Sequence, residues 1–241
     1  MKQNFLREFK DYTRRDCIVP GEDSFEAFCA FLDSNDQFMS KPYDGLGGQD
    51  VLKVTSADIT DRQAYYASCV ENRIFLEQLV HQHPDLNVLC PASVNTMRIM
   101  TFNDHGKTEI LWMGLRVGNG VNAVDNFHAK GMAVAIDMQT GKLVGNAVDK
   151  DCNHFTHHPT TGVAFDGFQI PDFQEAKDLV LKGAKESDKI LVIGWDVAQS
   201  DNGPVVIEAN RRPGFDVVQV LDDRGRMDII RSVLSRVDKK A

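Results

Sequence analysis

Three residues with oxygen-bearing side chains belong to a predicted hairpin late in the chain. Asp196 lies in an apolar segment, residues 194–198, and Glu208 and Asn210 lie in a second apolar segment, residues 204–210. Side chains alternate between the faces of a strand, so Glu208 and Asn210 share a face, and the Asp-Asn-Gly turn between the segments brings Asp196 beside them. Two carboxylates and an amide suit Mg²⁺, which prefers oxygen ligands. For this pattern alone, the alternative is a solvated hairpin with an acidic outer face.

A lysine beside a glycine-rich loop forms a second candidate site. Lys41 ends an apolar segment and precedes a loop that contains Gly45, Gly47 and Gly48. Backbone N–H groups that no side chain shields can bind phosphate oxygens, and a nearby ammonium group strengthens such a site. The lysine precedes the glycines, so the order differs from that of a Walker motif. The structural alternative is an ordinary glycine-rich turn.

Two arginines occur within strongly apolar strand patterns. Arg98 lies in Met-Arg-Ile-Met and Arg116 lies in Gly-Leu-Arg-Val. A guanidinium group in apolar surroundings requires an anionic partner. That partner is either a carboxylate of the protein or a bound phosphate or acyl phosphate, and the sequence leaves both open. The histidine-rich tract at residues 154–158 has no evident fourth ligand nearby, which disfavours a zinc site.

Patterns of apolar, capping and turn residues predict the elements that position these groups. Helices are predicted over residues 23–32, 60–70, 171–185 and 227–237, and strands over residues 37–41, 51–54, 74–80, 96–102, 110–117, 132–138 and 190–197. Both tryptophans fall in apolar strands and are predicted to belong to the core. Helices mixed with antiparallel hairpins indicate an α+β protein.

Composition limits the classes of function. With 241 residues, of which 42% are hydrophobic, the chain can bury a substantial core in one domain or two closely packed subdomains. The formal net charge of −8 disfavours nucleic acid as a partner. Five cysteines without a C-x-x-C pair indicate a reducing compartment, so a cytoplasmic location is expected. No apolar run approaches the length of a membrane span.

Taken together, these segments resemble the ATP-grasp superfamily, and specifically its sugar-transfer-associated or alpha-L-glutamate-ligase-related branch. The resemblance covers about residues 2–219 and depends on the order and spacing of many motifs. These are FMSKPYDGLGG (38–48), FLEQLV (75–80), PASVNTMR (91–98), VDNFH (124–128), IDMQTG (136–141), HPTTG (158–162), GWD (194–196) and EANRRPG (208–214). It implies an ATP-grasp fold, in which two α+β subdomains clasp ATP between their sheets. The lid subdomain is expected within residues 1–78 and the core subdomain with the metal site within residues 79–241.

The resemblance also implies roles for individual residues. Lys41 is similar to the lysine that contacts the α and β phosphates, and Gly45, Gly47 and Gly48 to the loop that covers them. The backbone of Glu77, Gln78, Leu79 and Val80 is expected to read adenine, and Asn95 or Thr96 to lie near the ribose. Arg98, Arg116 and Asn126 are expected to face the phosphoryl group or acyl phosphate, and Asp196, Glu208 and Asn210 to hold Mg²⁺.

The activity that the resemblance implies is the formation of an amide bond. Such enzymes use ATP to phosphorylate a carboxylate, and an amine then displaces phosphate. ATP and Mg²⁺ are therefore the expected cofactors, and a small carboxylate and an amine are the expected substrates, in cell-envelope or polysaccharide-related biosynthesis. Two alternatives stay open, namely a phosphotransferase acting on a hydroxyl group and a non-catalytic nucleotide-binding module. The sequence does not determine the oligomeric state.

The chain departs from the family pattern at two glycines and at its start. Asp50 and Lys130 stand where the family has glycine. Met1 falls where the N-terminal subdomain of the family would be ending, so the chain is expected to be either a minimal form or a fragment.

Overall fold

The computed structural model describes residues 2–44, 50–104, 106–120, 127, 130–221 and 225–238. The chain divides into two compact units, Met1–Val80 and His81–Ala241, and each has its own antiparallel sheet. The predicted α+β class is confirmed. The roles of lid for residues 1–78 and of core for residues 79–241 stay predictions.

The first unit combines four described helices with a four-stranded sheet. The helices are α1 (Lys2–Glu8), α2 (Lys10–Thr13), α3 (Phe25–Ser34) and α4 (Arg62–Glu71), and the strands are β1 (Cys17–Ile18), β2 (Gln37–Pro42), β3 (Leu52–Thr55) and β4 (Ile74–Gln78). Their order in the sheet is β1-β4-β2-β3. The predicted start of α4 at Thr60 is wrong, because Asp61 caps this helix by accepting a hydrogen bond from Ala64 N at 2.9 Å.

The two faces of this sheet differ in what covers them. Phe38 and Leu76 are fully buried in a hydrophobic cluster with residues of α3 and α4. Phe75 points to the other face and belongs to a smaller cluster. By the same alternation, Lys41 and Glu77 lie on the face of Phe75, away from α3 and α4.

The second unit is built around a larger sheet. Its described helices are α5 (Pro84–Leu89), α6 (Phe173–Glu186), α7 (Asp216–Val220) and α8 (Met227–Asp238), and its described strands are β5 (Thr96–Asp104), β6 (Lys107–Val117), β7 (Met132–Ile136), β8 (Leu143–Asp149), β9 (His154–Phe155), β10 (Val192–Ser200) and β11 (Gly203–Asn210). The sheet order is β11-β10-β5-β6-β7-β8-β9. Of the elements in this unit, the sequence did not predict α5, α7, β8 or β9. Within the described ranges, no helix combines the length and apolarity needed to cross a bilayer.

Helices cover both faces of the larger sheet. On one face, Asn103 of β5 donates a hydrogen bond to the Ala184 carbonyl of α6 at 2.9 Å. On the other face, Met100 and Trp112 pack in a cluster with residues of α7 and α8. Arg98 precedes Met100 by two positions on β5, so it lies on the same face as this cluster.

Two non-glycine residues at the departures from the family pattern have positive φ angles. Asp50 has φ +57° and Lys130 has φ +68°. A left-handed conformation costs an L-residue about 1–2 kcal/mol, whereas glycine adopts it freely. We expect Lys130→Gly to raise the free energy of unfolding by about 0.5–1 kcal/mol, after allowance for the greater entropy of glycine in the unfolded chain. The gain for Asp50→Gly should be smaller, since aspartate tolerates this conformation better.

Urea unfolding of the variants tests this expectation. Lys150 is a suitable control, because it is exposed and does not have a positive φ angle. Lys150→Gly should lower the free energy of unfolding by about 0.5–1 kcal/mol. Equal losses for Lys130→Gly and Lys150→Gly would contradict the explanation by backbone strain.

Candidate functional site

A buried carboxylate joins two cations on the first sheet. Glu77 Oε2 lies 2.7 Å from Lys41 Nζ, and Glu77 Oε1 accepts a hydrogen bond from Arg15 Nε at 2.6 Å. The side chains of Arg15 and Glu77 are 3% and 4% exposed, whereas that of Lys41 is 16% exposed. Burial raises the pKa of the Glu77 carboxyl, but the Lys41 ammonium and the Arg15 guanidinium lower this pKa by more, so it lies below its ordinary value. Glu77 is therefore an ionised anchor for the Lys41 side chain.

Strand register explains how these three residues meet. Glu77 pairs with Met39, and Lys41 follows two residues later on β2, so Lys41 and Glu77 are diagonal neighbours on one face. Glu77 also pairs with Cys17 of β1, which brings the preceding Arg15 to the same carboxylate. Arg15 was not identified from the sequence. The available signal was an ionisable residue within the apolar pattern of β4, which requires a charged partner but does not identify it.

The remaining predicted nucleotide-binding residues of this unit lie at the end of β4 or outside the described residues. Gln78 ends the strand, and its backbone N–H donates to Asp16 O at 2.9 Å. Leu79 and Val80 are half-buried and follow the strand, so the predicted extension of the strand to Val80 is wrong. Gly45, Gly47 and Gly48 lie outside the described residues. The adenine-binding and phosphate-binding roles of these residues stay predictions.

The hairpin of the second sheet brings the three predicted metal ligands to one face. Asp196 of β10 is directly opposite Glu208 of β11, and Gly194 is opposite Asn210. The pairing shifts by one residue immediately after Asp196, which is a β-bulge. Asp196 is 4% exposed, whereas Glu208 and Asn210 are half-buried. A carboxylate with almost no access to water thus lies beside two oxygen-bearing side chains that solvent can reach.

Two arginines lie against the Asp196 carboxylate. Arg98 is opposite Asp196 on β5, and its Nε is 3.1 Å from Asp196 Oδ1. Arg116 Nη2 is 3.4 Å from Asp196 Oδ2. Despite the short distance, Arg98 Nε is not aligned for a hydrogen bond, and Oδ1 accepts none from the described residues. A buried carboxylate oxygen without a hydrogen bond can still accept a further cation.

Thr96 orients one of these arginines. It is opposite Arg116 on β6, and its Oγ1 accepts hydrogen bonds from Arg116 Nε at 3.0 Å and Nη2 at 2.7 Å. In this structure Arg98 and Arg116 have Asp196 as a carboxylate partner, which is the first of the two alternatives raised by the sequence. Their contact with a phosphoryl group, and that of Thr96 with ribose, stay predictions. Asn126, the third predicted catalytic residue, lies outside the described residues.

The residues around Asp196 fit a hard divalent cation. The side chains of Glu208 and Asn210 form no hydrogen bond or ion pair with another described residue, so their oxygens are available. Across the described ranges, no group of three or more His, Cys, Asp and Glu side chains is placed to hold a metal. A cation at this hairpin would have the Asp196 and Glu208 carboxylates and the Asn210 amide oxygen as its protein ligands. Mg²⁺ accepts such a set, because it binds through few carboxylates and keeps positions for phosphate oxygens.

Asn95 is enclosed in a hydrogen-bond network. Its side-chain amide donates to Gln82 Oε1 at 3.0 Å and to Cys90 O at 3.2 Å, and its Oδ1 accepts from Gly118 N at 3.3 Å. Asn95 is 1% exposed. The network gives Asn95 a structural role at the beginning of β5, and a contact with ribose stays a prediction. Gln82, which connects this network, was not identified from the sequence.

A thiol and an imidazole lie beside this network. His158 Nε2 donates to Gly118 O at 2.9 Å, and its Nδ1 accepts from Thr160 N at 3.4 Å. Burial raises the pKa of the Cys90 thiol, but hydrogen bonds from His158 and Ser93 lower the pKa by more, to about 7. Burial lowers the pKa of His158, whereas its hydrogen bonds with Cys90 and Gly118 raise the pKa above its ordinary value. The Cys90 thiol and the His158 imidazole thus each stabilise the charged form of the other.

We expect Cys90 to ionise with a midpoint of about pH 7. Because this pKa is lowered, the thiolate is present above the midpoint and is lost as the pH falls through it. The measurement is the thiolate absorbance at about 240 nm, taken as the difference between the native protein and Cys90→Ser. His158→Asn removes the imidazole, whose hydrogen bond and charge lower this pKa, and leaves the burial, so the midpoint should rise.

Cys69→Ser is the control for this titration, because burial raises the pKa of the Cys69 thiol to about 11. This variant should leave the step near pH 7 unchanged. A His158→Asn variant with an unchanged midpoint would show that His158 does not determine the ionisation of Cys90.

Comparisons with known proteins place this geometry in a family. A family model described as sugar-transfer associated ATP-grasp matches residues 18–237. No curated protein sequence matches the chain significantly. The similar solved structures include the ATP-grasp ligase PsnB complexed with minimal precursor, with a TM-score of 0.54 and 12% identity over 98% of this chain and 59% of that chain.

Two further solved structures are similar. The D-alanine-D-alanine ligase from Coxiella burnetii has a TM-score of 0.54 and 10% identity over 99% of this chain and 56% of that chain. N5-Carboxyaminoimidazole synthetase from Staphylococcus aureus, complexed with ADP, has a TM-score of 0.52 and 11% identity over 89% of this chain and 44% of that chain. This chain thus spans between 44% and 59% of the length of the three proteins. At such low identity the likeness shows the fold.

Proposed function

The chain belongs to the sugar-transfer-associated ATP-grasp family, and from this premise we propose that it is an ATP- and Mg²⁺-dependent ligase that joins a carboxylate to an amine. The observation that carries the proposal is the charge arrangement at the larger sheet. Asp196 and Glu208 face each other, and Arg98 and Arg116 lie against the buried Asp196 carboxylate. Adjacent anionic and cationic groups of this kind can bind a metal ion and the phosphoryl oxygens that it neutralises.

In this proposal the hairpin residues bind the metal ion, and the two arginines bind phosphoryl oxygens of ATP. Asp196, Glu208 and Asn210 would hold Mg²⁺, which supplies charge neutralisation at the phosphoryl oxygens when bound. Without a cation, the two arginines compensate the charge of Asp196. With a cation held by the hairpin residues, the N–H groups of Arg98 and Arg116 would be available to phosphoryl oxygens. Thr96 would keep Arg116 oriented, through the hydrogen bonds that it already accepts.

Within the first unit, Lys41 is the cation that we propose to bind phosphate. Lys41 is the most accessible of the three charged side chains in the cluster of Arg15, Lys41 and Glu77, and its Nζ lies 2.7 Å from Glu77 Oε2. A lysine that is already ordered loses less conformational entropy when it binds phosphate. The ionised Glu77 also keeps the two neighbouring cations from repelling each other.

The proposed reaction requires no nucleophile from the protein. An oxygen of the substrate carboxylate attacks the γ-phosphorus, ADP leaves, and an acyl phosphate forms. The amine nitrogen then attacks the carbonyl carbon, phosphate leaves with the electrons of the C–O bond, and the amine loses a proton to water. Positioning and charge stabilisation by Arg98, Arg116 and the metal-binding residues would therefore do most of the catalysis. The family description supports a link to polysaccharide or cell-envelope biosynthesis, and composition supports a cytoplasmic location.

Trapping of the acyl phosphate by hydroxylamine tests the proposal. The chain is incubated with ATP, Mg²⁺, hydroxylamine and a panel of small carboxylic acids, and both ADP and hydroxamate are measured. A ligase should form them in equal amounts with its own acid. ADP without hydroxamate, together with phosphate retained on a hydroxyl group, would identify a phosphotransferase. Metal-dependent ATP binding without ADP release from any acceptor would instead indicate a nucleotide-binding module.

A further inference from the structure

A small apolar cavity in the second unit lies next to the acidic hairpin. Its volume is about 320 Å³, at the lower end of the range of about 300–1,000 Å³ that is usual for ligand pockets. The apolar walls are formed by Val192, Pro213, Phe215, Ile230, Val233 and Leu234. Two arginines, Arg211 and Arg212, complete the lining. The size suits a small molecule rather than a folded partner or a long peptide.

Strand geometry places the cavity on the same face as the proposed metal site. Val192 and Asp196 both belong to β10 and are four positions apart, so their side chains point to one face. Four residues of strand correspond to about 13 Å. Gly194 lies between them, and a Cβ atom there would come 2.6 Å from the Cβ of Pro213. The absence of a side chain at Gly194 thus lets the turn after β11 pack on the strand, between Asp196 and the cavity.

The opposite wall is one stripe of α8. Ile230, Val233 and Leu234 have the spacing of three and four residues that aligns side chains on a helix. Val233 is 8% exposed, whereas Leu234 is 53% exposed. The stripe therefore leads from the buried interior of the cavity to its opening. A half-exposed leucine at the opening leaves apolar surface that a ligand would cover.

The two arginines give the cavity a positive edge. Arg211 and Arg212 directly follow Asn210, the last residue of β11, and both are exposed. Neither forms an ion pair or a side-chain hydrogen bond with another described residue. By contrast, Arg98 has a carboxylate partner within 3.1 Å. Two uncompensated guanidinium groups beside an apolar cavity match a ligand that has both an anionic group and an apolar body.

We infer that this cavity binds the acid substrate and that the substrate is a small carboxylic acid with an apolar body. The body fills the space between Val192, Phe215 and α8, and the carboxylate is held at the opening by Arg211 and Arg212. This position is next to Asn210, a proposed metal ligand. The carboxylate would therefore lie at the end of the cavity that is nearer to the proposed site of the γ-phosphoryl group. The identification of the ligand as the acid substrate rests on the proposed function. The binding of an apolar anion in this cavity does not depend on the proposed function.

Binding of a matched series of probes tests the inference without nucleotide or metal. The probes are 4-phenylbutyrate, the neutral alcohol 4-phenyl-1-butanol and butyrate, and the measurement is calorimetry or saturation-transfer NMR on the full chain. We expect 4-phenylbutyrate to bind at least about tenfold more tightly than either of the others, because only this probe has both the charge and the ring. Equal affinity of the acid and the alcohol, or of the acid and butyrate, would overturn the inference.

Variants locate the bound probe. The double variant Arg211→Gln, Arg212→Gln should reduce the affinity for 4-phenylbutyrate to that for the alcohol, whereas Arg231→Gln, at an exposed arginine of α8 outside the lining, should not change it. Leu234→Trp fills the opening and should weaken all aromatic probes at least about tenfold. Leu234 is half-exposed, so this variant should fold, and Val233→Trp provides a second obstruction deeper in the cavity. Unchanged affinity in both tryptophan variants would show that the probe binds elsewhere.

The outcomes separate this inference from the proposed ligase activity. Hydroxamate formation that prefers acids without an apolar body would overturn the inference and leave the ligase intact. Cavity binding of 4-phenylbutyrate without ATP-dependent hydroxamate formation from any acid would contradict the ligase, while the site for an apolar anion would stand. Hydroxamate formation that prefers apolar acids and is lost in Leu234→Trp would support both.

Discussion

Glu208→Gln is expected to lower ATP-dependent turnover by about two orders of magnitude or more, because a metal centre supplies several kcal/mol of stabilisation to the transition state. Glu208 is half-buried, is opposite Asp196, and its carboxylate has no protein partner among the described residues. The substitution keeps the shape of the side chain and removes its charge. The folded structure should therefore persist, while the affinity for Mg²⁺ and for ATP in the presence of Mg²⁺ decreases.

The measurements are ADP release over a range of Mg²⁺ concentrations and the free energy of unfolding in urea. Glu175→Gln is the matched control, since Glu175 is an exposed glutamate in the first turn of α6. This control should retain normal turnover. Normal Mg²⁺-dependent turnover in Glu208→Gln would refute the metal assignment. A large loss of stability would show instead that Glu208 supports the sheet.

Glu77→Gln is expected to lower the free energy of unfolding by about 3–5 kcal/mol, the usual result of removing one partner from a buried ion pair. The variant removes the charge of the carboxylate that lies 2.7 Å from Lys41 Nζ and 2.6 Å from Arg15 Nε, and the side chain of Arg15 is 3% exposed. Glu71→Gln is the control, because Glu71 is exposed at the end of α4 and should change stability by less than about 0.5 kcal/mol. A loss below about 1 kcal/mol for Glu77→Gln would contradict the buried ion pair.

The pH dependence gives this prediction a second test. The pKa of Glu77 is lowered in the folded protein, so its contribution to stability is complete above the unfolded value of about 4.3 and is lost as the pH falls through the folded value. The difference in stability between the native protein and Glu77→Gln should therefore be constant near neutral pH and shrink below about pH 4. Urea unfolding at several pH values measures it. A difference that grows towards acid would have the wrong sign for a paired carboxylate.

The hairpin geometry was accessible from the sequence because its determinants are local. Alternation places Glu208 and Asn210 on one face, and a short turn sets Asp196 opposite Glu208 with little freedom in register. The family was recognisable for a related reason, since ordered motifs are a property of the chain itself. The helix caps were predicted less well, as the start of α4 at Asp61 shows, because neighbouring polar residues compete for the same backbone N–H groups.

Elements with weak local signals were missed. Helix α5 has six residues, which is too short for a helical period to be visible. Strand β8 contains Gly145 and Asn146, two residue types with low strand propensity, and its pairing with β7 stabilises it. In both cases tertiary contacts outweigh the local preference.

Only the tertiary structure decided which charges meet. Periodicity indicates the face of a strand on which a side chain lies, but the neighbouring strand is set by the sheet order and register. Arg15 and Glu77 are 62 positions apart, and the order β1-β4-β2 brings Arg15 and Lys41 to one carboxylate. Arg98 likewise meets Asp196 because β5 pairs with β10. The sequence by itself determined the family and the local placement of the oxygen ligands, and the packing of distant strands decided which cations accompany them, because long-range pairing leaves no local signal in either strand.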